Sequence, residues 1–199
     1  HYGDENLKSQ DTDGFCSLHH AAKCANGEAV RLLLERVPSL IFVKNHHKET
    51  ALVNAARKNS FECVKLIVEA RTKAYQTNEG KSRIQDYGIA LSATICIKCV
   101  QELLRIERPY HGSKTFQKGW MKAFSNAACG HHYGILTLLF EDKPPEADMQ
   151  VAVTDSFSSI VYAGVVPPDG ALSFSQDAMD TCLTLLRIIA EESQLSVDM

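Results

Sequence analysis

Asp11-Thr12-Asp13-Gly14-Phe15-Cys16-Ser17-Leu18-His19-His20-Ala21-Ala22 is followed by Asn45-His46-His47-Lys48-Glu49-Thr50-Ala51-Leu52-Val53-Asn54-Ala55-Ala56, and the two Ala-Ala pairs lie 34 residues apart. Downstream of each pair the step is kept, since Val30-Arg31-Leu32-Leu33 meets Val64-Lys65-Leu66-Ile67 at the same offset. Self-similarity at a fixed period of this size is the mark of a stacked-repeat architecture. Each unit reads as a short Ala-rich helix, a turn, and a second helix with one apolar stripe. Small Ala side chains let neighbouring first helices approach closely. One such unit cannot bury its own apolar face, so stacking has to close the core.

Working outward, a third good copy is Lys122-Ala123-Phe124-Ser125-Asn126-Ala127-Ala128-Cys129-Gly130, followed by Ile135-Leu136-Thr137-Leu138-Leu139. The gap before it has room for one degraded unit, with Ala90–Ile95 as first helix and Lys98–Leu104 as second, in a register good to about three residues. A fifth unit is expected from a short helix at Ser158–Ala163, the Pro/Gly loop Val166–Gly170 and a closing helix Ala178–Glu192.

The phased pattern resembles the ankyrin repeats. That family runs Asp-x-x-Gly-x-Thr-Pro-Leu-His-x-Ala-Ala, a Gly or Asn turn, then Val-x-x-Leu-Leu. The first unit matches at Asp11, Gly14, Leu18, His19, Ala21, Ala22, Gly27, Val30, Leu33 and Leu34. The second matches at Thr50, Leu52, Ala55, Ala56, Asn59, Val64 and Leu66, and the unit after Trp120 at Ala127, Ala128, Gly130, Leu138 and Leu139. Tetratricopeptide and HEAT arrays lack the Gly14 hairpin turn and the Leu18-His19-x-Ala21-Ala22 phrase. The resemblance implies an all-α solenoid of about five irregular repeats. The approximate bounds are 11–44, 45–78, 84–115, 117–150 and 153–192, after a lead-in at 1–10. In the family a Thr and a His support each other's hydrogen bonds at the turn. Here Cys16 replaces Thr beside His19, and Val53 replaces His after Thr50, so this network is expected to be incomplete.

Composition adds exclusions. With 199 residues, 45% hydrophobic and 23% charged, the chain is an ordinary folded protein rather than a disordered or low-complexity one. No apolar run approaches the roughly 18 residues needed to span a bilayer. A net charge of −3 does not suit global binding to nucleic acid or anionic membrane. The seven cysteines are odd in number and mostly fall in apolar helical patterns, which points to a reducing compartment, cytosol or nucleus. The chain opens at His1 and is expected to be a piece of something longer.

Three His-His pairs, His19-His20, His46-His47 and His131-His132, invite a metal reading. Adjacent helical residues point about 100° apart, and no carboxylate or thiolate stands at ligand spacing. Structural or surface roles are therefore preferred, with no metal or other cofactor. Cys96-x-x-Cys99 could be half a zinc site or a redox pair. It lacks a second pair and a preceding strand, and it lies in an apolar run, so core packing is preferred. Phosphate-loop, dinucleotide, zinc-protease and nucleophile-elbow motifs are absent, and nothing argues for an enzyme.

Local charge is uneven. Residues 98–122 carry Lys98, Arg105, Arg108, Lys114, Lys118 and Lys122 against Glu102 and Glu107, with Tyr110, Phe116 and Trp120 interleaved. The stretch Arg105–Gly119 reads as a long loop insertion with Pro109 and Gly112, a candidate contact for an acidic surface such as an acidic protein tail or phosphate, with a solvated loop as the preferred alternative. Residues 169–199 carry six acids against Arg187. The closing helix, with Met179, Cys182, Leu183, Leu185, Leu186, Ile188 and Ile189, is apolar on more than one stripe and is expected to pack on further chain, another subunit or its own preceding loop.

The functional expectation is non-catalytic protein recognition by a scaffold, a component of a larger, cytoskeletal assembly in the cytoplasm. The alternative is a targeting array of a longer signalling enzyme such as a protein kinase. By the resemblance, partners meet the hairpin tips, here Thr12, Asp13, Phe15, Asn45, His46, His47 and Lys48, and the exposed first-helix positions His20, Lys23, Asn54, Arg57 and Asn126. Arg108, Lys114 and Lys118 of the insertion and Trp120 just after it complete the candidate surface.

Overall fold

A computed structural model describes residues 2–76, 86–107 and 114–144, together with isolated helical positions at 151–152, 154, 183–184 and 187–188. The chain divides into two compact units, His1–Gly119 and Trp120–Met199. Among the described residues every regular element is helical.

The first unit opens with α1 (Tyr2–Lys8). Three helix pairs follow: α2 (Ser17–Lys23) with α3 (Gly27–Arg36), α4 (Ala51–Arg57) with α5 (Phe61–Gln76), and α6 (Tyr87–Ala93) with α7 (Ile97–Glu107). First helices pack on first helices, α2 on α4 on α6, and second on second, α3 on α5 on α7. Where a degraded third repeat is expected the structure has the helix pair α6 and α7, with α6 opening three residues before Ala90. The segment expected as a lead-in is itself helical: α1 packs on α2, and Ser17 Oγ donates to the Leu7 carbonyl at 2.7 Å.

The Ala-Ala pairs have one structural job. Each ends a first helix, and its two carbonyls accept paired bonds from the turn. Ala25 N and Asn26 N reach Ala22 and Ala21, and Asn59 N and Ser60 N reach Ala56 and Ala55. This is the Schellman closure of a helix, which needs a residue with φ above zero. Ala25 (φ 54°) and Asn59 (φ 55°) supply it. The turn residue of the first repeat is therefore Ala25, while Gly27 is the first residue of α3, a correction to the family match above.

The hairpins repeat as well. Asp11 Oδ1 accepts the amides of Asp13 and Phe15, and 34 residues later Asn45 Oδ1 accepts the amide of Glu49. Gly14 at φ 80° and Lys48 at φ 61° turn the two tips. His46 N bonds the Asp13 carbonyl at 3.2 Å, joining one tip to the next.

The helix α8 (Lys114–Cys129) contradicts the expected loop insertion, because Lys114–Gly119 is already helical. In that register Phe116 sits one turn before Trp120 and two before Phe124, on one buried stripe. The basic residues fall on the other side, which is why charge counting read the segment as solvated loop. The second unit holds the rest of α8 and α9 (Tyr133–Glu141), and Ala127 and Ala128 accept from His132 and His131 as the other two pairs do. Most of the expected fifth repeat lies outside the described residues. Of the closing helix, Leu183 is exposed and Ile188 buried.

Candidate interaction surface

The candidate surface is built by the hairpin tips and the ends of the first helices of the first unit. In repeat 1, Asp11, Phe15, His20 and Lys23 form one cluster. His20 Nε2 meets Asp11 Oδ2 at 2.8 Å, the His20 ring lies 5.7 Å from the Phe15 ring, and Lys23 Nζ stands 5.3 Å from the Phe15 ring centre. The amides of Asp13 and Phe15 occupy the Asp11 carboxylate, and Phe15 is the leading cause that holds it below its ordinary value. In repeat 2 the equivalent of Phe15 is Glu49 and that of Lys23 is Arg57, and these pair at 2.7 Å.

His46, His47 and Lys48 are exposed at the second tip, as expected. Lys23 and Lys48 make no ion pair among the described residues. Asn54, expected to be exposed, is buried at 5%. It is the repeat-2 counterpart of His20, but α4 is flanked by first helices on both sides and Arg57 covers its Oδ1 at 3.3 Å. Trp120 is likewise not at the surface. It is fully buried in the second unit, stacked on Phe124 at 5.4 Å, with Nε1 donating to the Leu139 carbonyl at 3.2 Å. Lys114 and Lys118 are exposed on the first turns of α8, Asn126 is exposed in the second unit, and Arg108 lies outside the described residues.

The position behind the surface is more complete than the sequence suggested. His19 Nδ1 accepts the Cys16 amide at 3.2 Å and lies 3.0 Å from the Cys16 sulfur, and Nε2 donates to the Glu49 carbonyl of the next repeat at 3.2 Å. The thiol thus stands in for the missing Thr hydroxyl. Burial pushes the His19 imidazole below its ordinary value, so it is held neutral.

Repeat 2 uses another device, which sequence reasoning missed. Arg71 of α5 donates to both Asp86 oxygens at 2.9 and 2.8 Å, to Thr50 Oγ1 at 2.7 Å and to the Ile41 carbonyl at 3.1 Å. Thr50 Oγ1 in turn donates to Asp86. Thr50 and Asp86 are N-caps of α4 and α6, the positions that Cys16 holds for α2. The signal was a lone Arg in the apolar run of α5, which a stripe analysis takes for a surface residue.

Residues 2–80 match the family model for ankyrin repeats (3 copies). Those residues are ankyrin repeats. No curated protein matches it. Ankyrin repeats are protein–protein interaction modules and are generally non-catalytic, so the array implies protein partners. Among the described residues of the ankyrin chain no three His, Cys, Asp or Glu side chains converge as a metal site, and no helix is long and apolar enough to cross a membrane. A groove of about 570 Å³ between α3 and α5 of the array is floored by Leu34, Pro38, Leu66 and Ala70 and edged by Glu35 and Lys73. Its lining sets Arg31 and Lys73 against Glu35 and Glu69, so neither sign of charge is in excess.

Proposed function

We propose that the chain is a non-catalytic recognition scaffold whose partner carries an acidic surface and meets the tips and first-helix ends of repeats 1 and 2. The observation that carries this reading is the placement of two exposed cations that form no ion pair among the described residues, Lys23 over the ring of Phe15 and Lys48 next to the exposed His46 and His47. An acidic side chain arriving there gains charge-assisted bonds without first breaking an internal pair. Phe15, half-buried and already ordered by His20 and Lys23, supplies an apolar anchor at small entropic cost. Arg57 contributes less, because Glu49 already neutralises it.

Lys114 and Lys118 form a second basic patch on α8. In this reading the scaffold belongs to a larger cytoplasmic assembly, such as one built on a cytoskeletal filament. Affinity capture on the full chain tests the assignment. Lys23→Glu/Lys48→Glu should lose partners that wild type retains, and the loss should deepen at low salt in proportion to the charge contribution. Unchanged capture by that variant, with losses from Lys114→Glu/Lys118→Glu, would move the site to α8.

A further inference from the structure

Cys96-x-x-Cys99 plays no part in recognition, and the sequence places it inside an apolar helix. The structure starts that helix between the two cysteines. The Cys96 carbonyl accepts the first helical bond, from Val100 N at 3.0 Å, so Cys96 is the N-cap of α7 and Cys99 its third residue. An N-cap side chain and the third residue of its helix come to the same side, the geometry that lets a Ser or Thr cap reach back. Residues three apart on a helix hold their Cβ atoms about 5–6 Å apart, and a disulfide needs about 4 Å. An N-cap residue is not held to helical torsions, so its side chain is free to approach more closely than the ladder spacing.

The two side chains are neighbours, since Cys96 is among the groups that act on the Cys99 thiol. Their accessibility differs. Cys96 is half-buried at the turn, where its amide bonds Thr94 Oγ1 at 3.2 Å, and Cys99 is fully buried. Burial first, then the neighbouring Cys96 sulfur, pushes the Cys99 thiol up to about 12. The pair therefore has one sulfur that an outside reagent can reach and one that is shielded behind it.

The geometry points to Cys96 and Cys99 as a reversible dithiol–disulfide site, closed by exchange with a small disulfide such as oxidised glutathione. The Cys96 thiolate attacks one sulfur of the external disulfide. That S–S bond breaks, the first external thiolate leaves and takes a proton from water, and a mixed disulfide remains on Cys96. Cys99 then loses its proton to water or buffer base and attacks the Cys96 sulfur, expelling the second external thiolate. Two protein thiols are oxidised to one disulfide, and the external disulfide is reduced to two thiols. Because Cys99 holds its proton tightly, the second step is the slow one and accelerates as pH rises. The closed bond would staple the first turn of α7 beside Thr94 and Asn59, the turn where repeats 2 and 3 are joined.

The full chain should be incubated with oxidised glutathione, quenched in acid, alkylated, and read by intact mass and peptide mapping. Wild type should lose two hydrogens with the link mapped to Cys96 and Cys99, reversed by dithiothreitol. Cys99→Ser should stop at a glutathione adduct on Cys96, and Cys96→Ser should leave Cys99 unmodified. Cys99→Ala keeps the buried position apolar, and should trap the same adduct with wild-type helical circular dichroism. The proposal is overturned if wild type forms no such link under conditions that modify the exposed Cys24, if the link joins Cys63 instead, or if neither Cys99 variant accumulates the Cys96 adduct.

Discussion

Arg71 and Asp86 form a two-pronged ion pair at 2.9 and 2.8 Å with both side chains 1% exposed, and through Thr50 and the Ile41 carbonyl it touches three successive repeats. Buried pairs of this kind hold register while contributing modest net stability, because desolvation offsets much of their attraction. Removing one partner is a different matter, since it leaves a charge in the core.

Asp86→Asn or Arg71→Met alone should destabilise the first unit by about 3–5 kcal/mol. The double variant Arg71→Met/Asp86→Leu should recover most of that loss. Urea unfolding of the four proteins measures it, and a double variant no better than the worse single one would mean that the pair itself is strongly stabilising.

Acid should unfold the protein in two stages. Burial lowers the basicity of His19, so its folded value lies below 6.5. The unfolded chain then takes the proton first. The contribution of neutral His19 is full above pH 6.5 and falls as pH drops through the folded value. Burial raises the Asp86 carboxyl, but Arg71 and Thr50 outweigh it and the net shift is downward from 3.8. Its contribution is full above pH 3.8 and is lost below that, as pH falls through the lower folded value. Urea midpoints against pH should show His19→Gln flattening the first stage and Asp86→Asn the second.

Ala25→Gly should stabilise the protein by about 1 kcal/mol, because a Cβ is costly in the left-handed region and Ala25 is exposed at φ 54°. Asn59→Gly, at the equivalent φ of 55°, should destabilise instead. Asn59 Oδ1 accepts from Thr94 Oγ1 and Ile95 N at 2.9 Å each, and glycine deletes both bonds. Thermal unfolding midpoints moving in opposite directions would bear this out.

Gly119→Ala should lower stability although Ala favours a helix by about 1 kcal/mol. An added Cβ would lie 2.3–2.4 Å from the Gly88 backbone, which has no flexible side chain to move aside. Overpacking of that kind costs about 1–3 kcal/mol, so a raised thermal midpoint for this variant would contradict the close approach of Gly119 to Gly88.

The repeat period, the helix pairs and the tips were legible in the sequence because they depend on local chemistry. Asp11 and Asn45 make the same side-chain turn wherever they stand, and an Ala-Ala pair before a turn closes a helix from within a few residues. Asn54, Trp120 and Arg71 were misread or missed for one reason. Each residue's burial is set by a neighbour distant in sequence: Asn54 lies in α4, enclosed by α2 and α6, Trp120 reaches Leu139, and Arg71 reaches Asp86 and Ile41. Charge and polarity predict exposure only when no such neighbour exists.

The 34-residue period and the helical spacing of the apolar residues by themselves determined a stack of helical units, since units that cannot bury their own apolar faces have to stack, and the interaction role came with the resemblance to ankyrin repeats. Only the tertiary structure decided which polar residues join the repeats and which remain free for a partner. His19, Arg71 and Asp86 are drawn inward by bonds to later or earlier repeats, while Lys23 and Lys48 form no ion pair among the described residues. The distinction is one of range: helix formation is written in neighbours a few residues apart, and burial in contacts that exist only after the repeats have packed.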